Sequence, residues 1–190
     1  MDTFGQRRLS VLPNSSSVAL PDIEMTITAR NNYDTHLFSL LKVGDDFVMS
    51  FSNKENAYGD FDNLVLPGTK TVGTLCRVLE TEKVGEGYRV KVIGKCAVDL
   101  TDFNIDSVSN TVMANVNVRP TYDREDSKIY EMLGRFATNY SSLRGKYAQL
   151  PELPDFSQTV SDVRFIPFHI AAFLNTSNFN KQIVLEEKDP

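Results

Sequence analysis

The chain has 190 residues, 41% of them apolar and 24% charged, a length and balance that bury a core without disulfide or metal staples and rule out wholesale disorder. Its formal charge of −5 and isoelectric point near 5.1 argue against a broad footprint for nucleic acid or anionic lipid, because such footprints need clustered Lys and Arg. Arg7-Arg8 is the only adjacent basic pair.

The N-terminus lacks an apolar stretch of signal-peptide length, and no run approaches the roughly 20 apolar residues a membrane helix needs. The expectation is a cytoplasmic protein with no membrane partner. Two cysteines, Cys76 and Cys96, fit a reducing compartment and a structural role better than a disulfide framework.

In chain order, Arg8 to Leu12 predicts a short strand ended by Pro13 and the loop-forming cluster Asn14 to Ser17. Ile23, Met25 and Ile27 alternate with polar residues and predict a second strand, with Met25 and Ile27 assigned to the core. From Asp34 the period changes. His36, Leu37, Leu40 and Leu41 lie at helical spacing, with Asp34 or Thr35 as the cap and Gly44 as the stop. Phe47, Val48, Met49 and Phe51 form an apolar run of central-strand character, and Asn53 to Thr71 reads as a long loop.

The stretch from Val72 to Leu100 carries the clearest pattern. Val72, Thr74, Cys76 and Val78 fall at period two, as do Tyr88, Val90 and Val92, and Gly85-Glu86-Gly87 supplies the turn between them. A third strand is expected after Gly94, and Val112 to Val118 alternates again before Pro120. No βαβ rhythm appears, so no parallel pairing is expected.

At Thr121 the chain turns helical. Ile129, Met132, Leu133, Phe136, Tyr140, Leu143 and Tyr147 mark one stripe of a long amphipathic helix from about Asp123 to about Ala148. A second helix from about Ser161 carries Val163, Ile166, Ile170, Phe173 and Leu174, with Asp162 near its start; Pro167 breaks it unless it lies in the first turn. A third begins at Thr176 or Ser177. The fold class is therefore α+β, with a β-rich part over 1–120 and a helical part over 121–190.

Signatures of chemistry are absent. The two His and two Cys show no C-x₂-C or H-x₃₋₅-H spacing, so no metal is expected. Gly68-Thr69-Lys70-Thr71 lacks the order of a phosphate loop, no G-x-S-x-G elbow occurs, and neither cysteine has neighbours that lower its pKa. No catalytic residue and no cofactor are assigned.

The order of elements resembles the N-terminal domain of Lon-type ATP-dependent proteases (protease La), and the resemblance runs from Arg8 to Pro190. Arg8 to Pro13 (RLSVLP) is similar to the family's I-x-V-L-P strand, Leu20 to Ile27 to its F-P-G-M-V-I-P segment, and Asp46 to Ser52 to its K-x-I-L-L-V-A-Q strand. Val72 to Val78 (VGTLCRV) matches V-G-T-V-A-x-I, and Gln182 to Asp189 (QIVLEEKD) resembles Q-x-L-L-E-x-x-D. Thr28 stands where the family's second proline would fall. The resemblance implies a PUA-like β-rich subdomain followed by helices. It also implies a non-catalytic domain that recognises unfolded or degron-bearing proteins and supports a hexameric ring. The Walker A ATPase module and the Ser-Lys protease module would be its partners, and neither motif occurs in this chain. A stand-alone adaptor or regulatory protein-binding module is the alternative.

Recognition of many sequences requires exposed apolar surface. Two candidates for protein binding stand out: Ile93 in the hairpin, which alternation puts on the solvated face, and Tyr58, Phe61, Leu64 and Leu66 in the long loop. A bulge at Gly94 would instead turn Ile93 inward, and the loop residues would instead fold back onto the sheet.

Overall fold

The computed structural model describes residues 7–52, 69–119 and 126–187. Six strands, β1 (Arg7–Asn14), β2 (Glu24–Thr28), β3 (Asp46–Ser52), β4 (Thr69–Val84), β5 (Gly87–Asp106) and β6 (Thr111–Val118), form one sheet in the order β2-β5-β4-β3-β1-β6. An additional β5–β6 pairing closes β5, β4, β3, β1 and β6 into a barrel and leaves β2 appended to β5. Residues of every barrel strand, among them Val11, Phe47, Val48, Cys76, Val92 and Ala114, are fully buried and belong to one apolar core. Each large apolar side chain so buried contributes roughly 1.5–3 kcal/mol.

Helix α1 (Asn32–Leu40) adds Tyr33, Leu37 and Phe38 to the same core. Its cap is Asn31, whose side chain accepts from Asp34 N, while Asp34 accepts from Arg30 N at 3.1 Å. This corrects the expectation of Asp34 or Thr35 as cap; Asp34 sits in the first turn, and its carboxylate reaches back to the N–H of the residue before the cap. The helix ends at Leu40, and Gly44 (φ 93) makes the turn that follows.

Two strand expectations also need correction. Pro13 does not end β1, which runs to Asn14, and β1 pairs with β3 in parallel, Val11 to Val48 through Asn14 to Phe51. The antiparallel pairing of β1 with β6 stops at Ser10↔Met113. Beyond it the Tyr33 hydroxyl enters the gap, donating to Val11 O at 2.7 Å and accepting from Val112 N at 3.0 Å. Since Val11 O faces away from β3, so does the position of Pro13 two residues on, and its missing N–H falls on the side that β6 has left. Asn14 then closes the strand as an Asx turn, accepting from Ser16 N and Ser17 N.

The hairpin from Val72 to Leu100 is present, but its second half is one bent strand of 20 residues and no separate third strand begins after Gly94. The register shifts from Leu75↔Cys96 to Cys76↔Gly94, which leaves Lys95 as the extra residue of a bulge. At that bend the segment before β2 lies against β5. Asp22 N donates to Gly94 O at 2.8 Å, Gly94 N donates to Ile23 O at 3.1 Å, and the Thr74 hydroxyl donates to Ala19 O at 2.7 Å. A Cβ on Gly94 would stand 2.2 Å from Leu20 O, and one on Gly73 would stand 2.7 Å from Met49 O.

The helical part comprises α2 (Asp126–Lys146), α3 (Phe156–Thr159), a 3-10 turn at Val163–Phe165, α4 (Ile166–Phe173) and α5 (Asn178–Glu186). Pro167 lies in the first turn of α4, where its missing N–H costs nothing. Ser177 caps α5 by accepting from Asn180 N. Phe168, Ala171 and Leu185 pack with Val18, Leu20 and Val72, so α4 and α5 rest on the barrel and on the segment that Gly94 holds. Gln182 Nε2 donates to Val72 O at 3.1 Å, and Arg119 donates to Glu186 O at 2.8 Å. The expected division near residue 120 falls outside the described residues.

Gly94→Ala is expected to cost about 3 kcal/mol, since the added methyl meets backbone rather than a yielding side chain. Gly134→Ala, where nothing lies within 4 Å of the new Cβ, should stabilise α2 by about 0.5–1 kcal/mol. Urea unfolding of both variants measures the pair, and an unchanged midpoint for Gly94→Ala would contradict the packing described.

Candidate functional site

An apolar groove of about 300 Å³ opens between α2, α4 and α5. The spacing of Ile129, Met132, Leu133 and Phe136 puts these four side chains on one face of α2; Ile170 comes from α4 and Ile183 from α5. Ile129 and Ile166 are buried and form the floor, whereas Met132 is 40% and Ile183 47% exposed. Phe179, one turn before Ile183 on α5, is 62% exposed and extends the apolar surface beyond the groove.

Aromatic contacts fix the neighbouring helices. Tyr140 of α2 meets Phe173 of α4 edge-on with centroids 6.1 Å apart, Phe156 of α3 does the same at 6.0 Å, and the Tyr140 hydroxyl donates to Pro151 O at 3.0 Å. Such ring pairs contribute about 0.5–1.5 kcal/mol each beyond their buried area. Helix α4 is also tied to the barrel, because His169 Nε2 lies 3.0 Å from Asp22 Oδ2. Asp22 itself has φ 62, a left-handed conformation held in place by the bond from its own N–H to Gly94 O and by that from Gly94 N to Ile23 O.

The groove is lined almost entirely by apolar side chains. Glu187 is the single charged residue of its lining, and no group of three or more His, Cys, Asp or Glu among the described residues is placed to hold a metal. Burial pushes the Cys76 thiol up to about 12 and raises that of Cys96, the opposite of what a nucleophile requires. His36 Nε2 meets Ser109 O at 2.7 Å and ties α1 to the β5–β6 turn.

Of the residues assigned from sequence, Tyr58, Phe61, Leu64 and Leu66 lie outside the described residues. Ile93 is half-buried on the outer face of the sheet. It sits opposite Glu24 on one side and Arg77 on the other, and Arg77 in turn forms a two-pronged ion pair with Asp46. The Gly94 bulge begins one residue too late to turn Ile93 inward. Sequence reasoning had Ile129, Met132, Leu133, Phe136 and Ile170 as helix stripes but not as a groove. The available signal was an excess: the long helix and the two short ones that follow carry more apolar stripe than they can bury among themselves.

The family of ATP-dependent protease La (LON) substrate-binding domains matches residues 8–190. The chain belongs to that family. Among solved structures, the N-terminal domain of Mycobacterium avium complex Lon protease superposes with a TM-score of 0.70 at 12% identity, over 96% of this chain and 91% of that one. The Lon N-terminal domain protein from Xanthomonas campestris gives 0.59 at 14% identity, over 97% and 92%. At these identities the likeness is one of fold, and it agrees with the expected α+β arrangement of a β-rich part followed by helices. No curated protein matches the chain in sequence. Within this Lon-type domain no described helix is long and apolar enough to cross a membrane.

At pH 8 a thiol reagent is expected to leave Cys76 of the folded Lon-type domain unlabelled and to modify it only on unfolding. Mass-resolved labelling with and without urea checks this, and fast native modification of Cys76 would contradict its burial.

Proposed function

We propose that this substrate-binding domain holds an apolar segment of an unfolded or degron-bearing polypeptide in the groove between α2, α4 and α5. Its role is to present that segment to the ATPase and protease modules of a Lon-type enzyme and to support their assembly; it carries no catalytic step itself. The observation that supports this most is a groove lined by aliphatic and aromatic side chains and left open at Met132 and Ile183.

The physical basis is burial. A substrate segment that covers the groove gains about 25 cal/mol for each Å² of apolar surface removed from water. A non-directional force of that kind accepts many sequences, and the flexible thioether of Met132 adapts to side chains of different shape. Folded proteins keep such segments inside, so selection of unfolded chains needs no sequence code. Ile93 on the outer sheet face, and Tyr58, Phe61, Leu64 and Leu66, are proposed as further contacts for longer substrates.

Ile183→Asp should weaken binding of a permanently unfolded protein, such as one that has been reduced and carboxymethylated, by at least roughly tenfold, because a charge then enters the apolar contact. Folding stability should change by no more than about 0.5 kcal/mol, as expected for a half-exposed position. Fluorescence titration reads the affinity and urea unfolding the stability. Unchanged affinity would remove the groove from the function.

A further inference from the structure

The strand that precedes α1 offers a second kind of contact. β2 (Glu24–Thr28) pairs with β5 on one side only, in the register Glu24↔Ile93 to Thr28↔Arg89. The bonds just beyond its ends fix which residues face which way. Gly94 N donates to Ile23 O, and Ala29 N donates to Tyr88 O, so the odd-numbered residues point their N–H and C=O groups at β5. Those of Glu24, Thr26 and Thr28 therefore point away from the sheet, and among the described residues none of them has a hydrogen-bond partner. The side chains of the same three residues are exposed.

Sheet edges of this kind are ordinarily blunted by Lys, Pro, a bulge or a covering element. The sequence Glu-Met-Thr-Ile-Thr has none of the first two, its register against β5 is unbroken, and Glu24 at its first position is neutralised by Lys91 at 2.9 Å. Thr-Ile-Thr is instead strongly strand-forming. Such an edge recognises peptide backbone and is indifferent to side chains.

We infer that the outer edge of β2 takes an extended stretch of the substrate polypeptide as an added strand. This rests on the polypeptide-binding reading of the groove and adds to it a recognition element of different chemistry. Five residues of β2 offer a pairing length of about 17 Å. The edge and the groove lie on adjoining elements, since β2 follows directly from the turn whose Asp22 holds His169 of α4. One unfolded chain would engage both, by backbone pairing along β2 and by apolar side chains between the helices. A folded protein, with its backbone already paired, offers neither.

The test uses the full 190-residue chain and a reduced, carboxymethylated protein as the unfolded probe. Amide exchange of Thr26 and Thr28 should slow when the probe is added, while that of Met25 and Ile27, whose amides already face β5, stays as it was. Thr26→Pro removes one outward donor and blocks an added strand, and should weaken binding on the order of tenfold; Thr26→Val keeps the backbone and should bind as before. If Thr26→Pro fails to fold, the exchange measurement on the unmodified chain decides. Unslowed outward amides, or wild-type affinity in a folded Thr26→Pro protein, would overturn the inference, and loss of binding in Ile183→Asp would then leave the groove reading standing. Slow exchange in the chain alone that deepens with its concentration would assign the edge to a second copy and overturn it as well. Failure of the unmodified chain to bind the probe would end both readings.

Discussion

The carbonyl oxygen of Leu20 lies 2.2 Å from where a Cβ on residue 94 would be, and only a glycine permits that approach. Its consequences spread outward. With Leu20 in place, Asp22 and Ile23 bond the Gly94 backbone on both sides, and Thr74 fixes Ala19 from the neighbouring strand. The segment so held presents Leu20 to Phe168 and Ala171 of α4 and Asp22 to His169. Val72, two residues before Thr74, accepts from Gln182 of α5. The hairpin is thus a platform on which both docked helices are seated, and the groove exists because they are seated there.

The groove follows from what the helices cannot do. α3, α4 and α5 are four, eight and nine residues long, too short to be stable alone in water. They are ordered by packing on the barrel and on α2, and that packing consumes only part of their apolar surface. Phe156, Val160 and Ile166 are buried among themselves, while Met132, Phe179 and Ile183 are left in water. A fold free to bury them would gain from doing so. Their retention on the surface is what the proposed use of the groove for an incoming polypeptide requires, and it accords with membership of a substrate-binding family.

Much of this was legible in the residues, wherever a single element carries the pattern. Period two located the hairpin and the 3.6-residue period located α2, whereas the helix expected from about Ser161 begins only at Ile166, which is what brings Pro167 into a first turn. What failed depended on partners distant in the chain. Pro13 reads as a strand end because half of β1 changes its neighbour at Ser10, and nothing local to Pro13 announces that. The parallel β1–β3 pair has a crossover that holds both β2 and α1, so no simple βαβ rhythm appears. Asn31 escaped as the cap because Asp34 is an equally good cap by type, and the choice between them is made by backbone geometry. The groove stayed invisible for the same reason as the barrel closure, since a gap between three helices is a property of their docking. Ile93 was legible as an outward residue, but its charged neighbours Glu24 and Arg77 come from two other strands.

The turn held by Gly94 positions α4 and with it the groove. Native-state amide exchange in an Asp22→Ala protein tests that most directly. Faster exchange is expected for the α4 amides, spreading to those of α5, with the amides of β3 and β4 unchanged because the barrel core does not depend on Asp22. Exchange in α4 identical to that of the unmodified chain would show that the helices hold their places without the turn, and would contradict it.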